Sequence, residues 1–199
     1  MTAPSSDPRR RILDGLAASL RERGLAHTQI DDIVRHARMS KRTFYATFPD
    51  KESAFVELIR EGSIETFDAV ARLVGGDLPW EEQVELGVTA YLRALDDNPL
   101  LVAAISRDLP GLGPRGIALH REALDRFAGL FTEMSRSFAG SGAAVRPIPQ
   151  LSAVLLVAGV AELVARAALD HGPMEDLAPV IVDAIVAFAQ PRREPASGA

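Results

Sequence analysis

At 199 residues, 47% apolar and 25% charged, the chain is long enough to bury a sizeable core and has an ordinary globular composition. It contains no cysteine, which excludes disulfides, thiolate metal sites and cysteine nucleophiles and fits a reducing cytoplasm. The net charge of −5 argues against a nucleic-acid partner only when taken whole. Residues 1–60 hold eleven Lys and Arg against eight Asp and Glu, and the remainder holds eleven against nineteen, so a basic N-terminal piece is joined to an acidic body.

The first eight residues lack an apolar run, which argues against a signal peptide and for a disordered lead-in. No segment alternates apolar and polar residues as a half-buried strand would; the pattern is helical throughout, punctuated by Gly and Pro. A first helix is expected over 8–24, with Ile12, Leu13, Leu16, Ala17 and Leu20 on one face and Gly24 as its stop. Arg9, Arg10 and Arg11 read as a solvated charge run, with a minor-groove arm as the alternative. Thr28 is the expected N-cap of a second helix, and Asp31 its capping-box acid. That helix turns Ile30, Ile33, Val34 and Ala37 inward and ends in a turn at Ala37, Arg38 and Met39. Ser40 then caps a short third helix over 41–48, and Asp50 caps a long fourth over 51–74.

Five more helices are expected over 80–96, 99–108, 114–139, 149–171 and 175–190, with Pro179 kinking the last or marking its start. The fold class is therefore all-α with about nine helices: an N-terminal three-helix domain over 1–55, a larger helical domain over 56–190, and a disordered tail over 191–199. The stretch 151–169 is apolar enough to span a bilayer, but Glu162 and Arg166 stand inside it four residues apart, as a helical ion pair would. A buried interface helix is the better reading. Together with the apolar run 180–188 it predicts a homodimer through the two C-terminal helices, two from each protomer.

The segment from Arg11 to Lys51 carries the functional signal. Two short helices joined by about three residues make a helix-turn-helix, whose second helix enters the major groove. The wedge between them needs Ile30, Ile33, Val34, Met39, Phe44 and Phe48, and the outer face needs polar or basic groups. Ser40, Lys41, Arg42 and Thr43 supply these; Tyr45 offers a hydroxyl to a phosphate, and Lys51 a charge at a helix N-terminus.

The run Ser40-Lys41-x-Thr43-Phe44-Tyr45-x-x-Phe48-x-Asp50-Lys51-Glu52, preceded by Ile12-Leu13, Leu20, Arg23-Gly24, Thr28, Ile33, Ala37 and Met39, resembles the DNA-binding domain of the TetR family. The resemblance covers about the first 60 residues. It implies a transcriptional regulator with Thr28, Ser40, Lys41, Arg42, Thr43, Tyr45 and Lys51 at the DNA, acting as a homodimer in the cytoplasm. A two-fold dimer implies a palindromic double-stranded operator with half-sites about 34–36 Å apart. Two positions depart from the family pattern: Arg38 and Arg42 stand where glycine is frequent. Arginine at 42 reads a guanine edge or clamps a phosphate.

The resemblance also implies a cavity for a small hydrophobic effector, and Tyr91, Leu95, Ile105, His120, Leu124, Phe127, Phe131 and Met134 are its candidate lining. Ordinary core is the competing reading for each. The Gly-x-Gly-x-x-Gly spacing at 111–116 lacks a preceding strand and reads as a helix connection. His120, with Glu122 and Asp125 nearby, is read as a pocket or core group, not a metal ligand. No catalytic motif or cofactor signature is expected. The functional reading is a repressor released by its ligand, with an activator, a ligand-independent regulator, or a helical carrier or enzyme as alternatives.

Overall fold

The computed structural model describes residues 7–170 and 172–191, so nearly all of the expected lead-in and tail lies outside the described residues. Among those described there are nine α-helices and no strand. The helices form two compact units, Met1–Glu65 with Asn98–Arg121, and Thr66–Asp97 with Glu122–Ala199. These units cut the chain at other places than a single break at 55/56, because residues 98–121 pack with the first helices.

In the first unit, α1 (Pro8–His27) starts at Asp7, whose carboxylate accepts the Arg9 N–H at 3.0 Å; Pro8 sits where a missing N–H costs nothing. The helix breaks at Gly24, at φ 71°, before a last turn to His27. α2 (Ile30–Ala37) crosses it so closely that a β-carbon on Gly15 would lie 2.6 Å from the Ile33 carbonyl oxygen and 2.8 Å from the Ala37 nitrogen. α3 (Lys41–Thr47) and α4 (Lys51–Ala71) complete the wedge. Ile12, Leu13, Leu16, Ile33, Phe44, Phe55 and Ile59 are almost fully buried within it.

α6 (Pro99–Ala103) is much shorter than the expected 99–108. The chain passes into a π-helical turn (Ala104–Asp108) and a 3-10 turn (Leu109–Leu112) before α7 (Pro114–Gly140). The Gly-rich stretch is thus a helix connection: Gly113 takes φ 57°, and a β-carbon on Gly116 would lie 2.0 Å from the Leu109 carbonyl oxygen.

In the second unit, α5 (Trp80–Asp96) packs against α9 (Ala178–Ala189), and α8 (Gln150–Asp170) lies beside α9. Pro179 stands in the first turn of α9, so it marks a start and not a kink. The C-terminal end of α9 is closed by Arg146, which gives its backbone N–H to the Ala189 carbonyl and a guanidinium N–H to the Phe188 carbonyl, both at 2.7 Å. α8 is far less covered than its all-round apolar sequence suggests. Only Ala153, Val157 and Val164 are buried, while Leu151 is 84% and Leu155 66% exposed. By length and composition it is the one helix among the described residues able to cross a membrane; its Glu162 and Arg166 pair at 2.7 Å.

Candidate functional site

The helix-turn-helix consists of α2, a three-residue turn (Arg38, Met39 and Ser40) and α3. Arg38 adopts the left-handed conformation, φ 53° and ψ 50°, donating its N–H to the Arg35 carbonyl while Met39 donates to that of Val34. This is a Schellman stop, which normally favours glycine, so the turn keeps its geometry with an arginine in the strained place. Arg11 supports it from α1 by donating to the Ala37 and Arg38 carbonyls at 2.8 and 3.0 Å. Arg9 binds Glu57 and Glu61, and Arg10 binds Asp14 and Glu61. All three arginines belong to α1 and are partnered within this unit, which corrects the minor-groove-arm reading, while Arg10 stays exposed as a solvated charge would.

Ser40 caps α3 as expected, its Oγ accepting the Thr43 N–H at 3.1 Å and lying 2.9 Å from the Thr43 hydroxyl. The outer face of α3 carries Lys41, Arg42 and Tyr45, all exposed. Lys41 pairs with Asp31 at 2.7 Å, and this carboxylate raises its pKa. Both side chains of that pair lie in water, where an ion pair is readily exchanged for another anion. The Arg42 guanidinium and the Tyr45 hydroxyl have no partner among the described residues. Tyr45 is 56% exposed while its ring meets Phe44 edge-on, so the ring is fixed and the hydroxyl faces outward. Arg38 is likewise exposed and its guanidinium unpaired; reading its position only as a turn hid it as a candidate.

Two expected DNA contacts sit elsewhere. Thr28 is fully buried, and its hydroxyl donates to the Gly24 carbonyl at 2.8 Å. The N-cap of α2 is Gln29, whose N–H goes to Asp32 and not Asp31. That bond, followed by the charges of Arg23 and Arg35, holds the Asp32 carboxyl below the usual carboxylate range. Lys51 turns its ammonium back to the Leu25 and Thr28 carbonyls at 2.9 and 2.8 Å, stitching the α1–α2 corner to α4. Asp50 caps α4 through the Ser53 N–H and is approached by Arg115 at 3.3 Å; the Ser53 bonds, then Arg115, lower its pKa.

The second unit holds a partly open cavity of about 50 Å³, bounded by α5, α7, α8 and α9 and by the end of α4. Tyr91, Phe127, Phe131 and Met134 line it, as the aromatic pattern of the sequence suggests. Leu95 and Leu124 are not among its walls, and Ile105 and His120 belong to the first unit, where His120 is exposed. Val157, Val160, Ile181 and Ile185 complete it from helices distant in sequence. Among the described residues no group of three acidic or histidine side chains is placed to hold a metal.

Residues 12–58 match the family model of bacterial regulatory proteins, tetR family. No curated protein matches the sequence. Solved structures share the fold. FadR of Bacillus halodurans, a fatty acid degradation regulator, is 16% identical with a TM-score of 0.76, over 92% of this chain and 97% of its own. FadR of Bacillus subtilis, solved in complex with stearoyl-CoA, is 16% identical with a TM-score of 0.76, over 91% and 99%. A tetR-family regulatory protein from Rhodococcus RHA1 is 18% identical with a TM-score of 0.70, over 95% and 100%. Residues 12–58 are thus a DNA-binding segment of the kind found in bacterial regulatory proteins of the tetR family, and the chain as a whole shares the fold of solved regulators of that family.

Proposed function

We propose that the chain is a homodimeric cytoplasmic repressor that binds a palindromic operator and is released by a small apolar effector in the α5–α9 cavity. The observation that carries DNA recognition is the outer face of α3. A capped, rigidly wedged helix presents an unpaired guanidinium at Arg42 and an outward hydroxyl at Tyr45, with Lys41 in an exchangeable pair. In this reading Arg42 meets a base edge, Tyr45, Lys41 and Arg38 meet phosphates, and Ser40 and Thr43 fix the helix start. Thr28 and Lys51 act through the fold and not at the phosphate.

The dimer reading rests on the uncovered apolar side of α8 and α9. Leu151, Leu155 and Val180 are more than half exposed, and a groove runs between Leu155, Leu163, Val180 and Ala184. The effector reading rests on the cavity and on the FadR structure whose fold holds stearoyl-CoA. α4 and α7 contribute residues to both units, so they form the covalent route between effector and DNA. A ligand that binds one arrangement of this dimer more tightly shifts its population away from the DNA-binding one.

The test is fluorescence anisotropy on DNA from upstream of the gene and on scrambled DNA of equal length, at two salt concentrations. A preference of about a thousandfold for the native fragment supports a sequence-specific regulator. Equal, salt-sensitive binding to both, followed by failure of a random-sequence selection, removes it.

A further inference from the structure

None of the fourteen residues around the cavity carries a charge, and only Gln83 and Tyr91 bring a hydrogen-bonding side-chain oxygen or nitrogen. Their situations differ. The Gln83 amide is anchored on the backbone: its NH2 donates to the Gly75 carbonyl at 2.7 Å and its oxygen accepts the Gly75 N–H at 2.6 Å. The Tyr91 hydroxyl has no partner among the described residues. The Tyr91 ring is held edge-on against Phe127, which itself meets Phe67 edge-on, so the phenol has little freedom to look elsewhere. Burial pushes its pKa up to about 12, so it stays a neutral donor. The cation closest in sequence to this wall, Arg126, lies over the Phe67 ring and pairs with Glu122 at 3.0 Å; it does not line the cavity.

We propose that the effector is an uncharged, largely apolar molecule carrying a carbonyl or ether oxygen that accepts the hydrogen bond of Tyr91. The proposal rests on reading this cavity as the effector site. The walls supply burial for hydrocarbon, and the Tyr91 hydroxyl supplies orientation. A carboxylate of equal length enters at a disadvantage, because its charge is stripped of water with no cation to replace it. Tyr91 is then the specificity-determining residue: it distinguishes an oxygenated ligand from a bare hydrocarbon.

The experiment is isothermal titration of the full chain with 2-octanone, octanoate and n-octane, on wild type and on Tyr91→Phe. On wild type, 2-octanone is expected to bind at least about tenfold more tightly than octanoate. Tyr91→Phe is expected to weaken 2-octanone about fivefold and to leave n-octane unchanged. Octanoate binding as tightly as the ketone overturns the proposal, and so does a ketone affinity indifferent to Tyr91→Phe; in both cases the cavity remains a ligand site. If none of the three binds wild type, the cavity reading itself falls, and this proposal with it. The ketone-against-octanoate comparison needs only wild-type protein, so it decides the matter even where the variant folds poorly.

Discussion

The helix-turn-helix and the α8–α9 pair dispose of their apolar side chains in opposite ways. Among the described residues up to Glu65, the only large apolar side chain left exposed is Tyr45, and its ring is already engaged by Phe44. Along α8, three residues of twenty-one are buried while two of the most exposed leucines of the molecule stand one turn apart. One region meets its own burial requirement within the protomer, so what it shows outward is polar and available to phosphate. The other leaves apolar side chains uncovered, the surface on which the proposed dimer rests. In the proposed reading, recognition and assembly are written in different chemistries on one chain.

Several substitutions break or sharpen this contrast. The largest effect is expected from Leu155→Arg, which places a charge on the uncovered face. Sedimentation should show a monomer, and operator affinity should fall by about a hundredfold or more as the two half-sites stop acting together. A dimer that survives this change places the interface elsewhere. Phe44→Ala empties the centre of the helix-turn-helix and should cost about 3–5 kcal/mol in urea denaturation; a loss under 1 kcal/mol would mean that the wedge is not a packed core.

Lys51→Met removes two charge-assisted bonds to carbonyls and should cost about 2–3 kcal/mol, with the salt dependence of DNA binding unchanged. A flattened salt slope at unchanged stability would return Lys51 to the phosphate contacts. Arg38→Gly separates strain from function. Relief of the left-handed backbone should raise stability by about 1 kcal/mol, yet binding to any DNA should weaken and the salt slope fall by about one unit. Affinity rising together with stability would make Arg38 a turn residue only. The smallest effect is that of pH. Asp32 and Asp50 have lowered native pKa values, so they bind fewer protons folded than unfolded. Their stabilisation is complete above the ordinary carboxylate range and is lost as pH falls through their native values. Thermal unfolding below pH 4 should show this loss, and Asp32→Asn should diminish it.

The helix-turn-helix was legible because its information is contiguous: cap, wedge residues and outer face lie within some forty residues at fixed spacing. The start of α2 was misread by one position, since Thr28 and Asp31 satisfy the same spacing rule as Gln29 and Asp32. Burial of Thr28 against Gly24 decides between them, and burial is not local. The partners of Lys51 lie 23 and 26 residues back in the chain, beyond any motif. In the cavity, the aromatic face of α7 was readable, but its opposite walls come from α8 and α9. Ile105 was misplaced because the segment Asn98–Arg121 joins the first unit, while the cavity is lined by the second.

The contact at Gly15 bears on any attempt to recode this protein. Because α1 and α2 meet there almost backbone to backbone, the tilt of α3 is a property of three helices and not of its own seven residues. A graft of residues 38–48 onto another scaffold would import the lettering of recognition and inherit a foreign angle. A portable cassette has to be cut ahead of Asp7 and beyond Ile59, carrying the glycine with it.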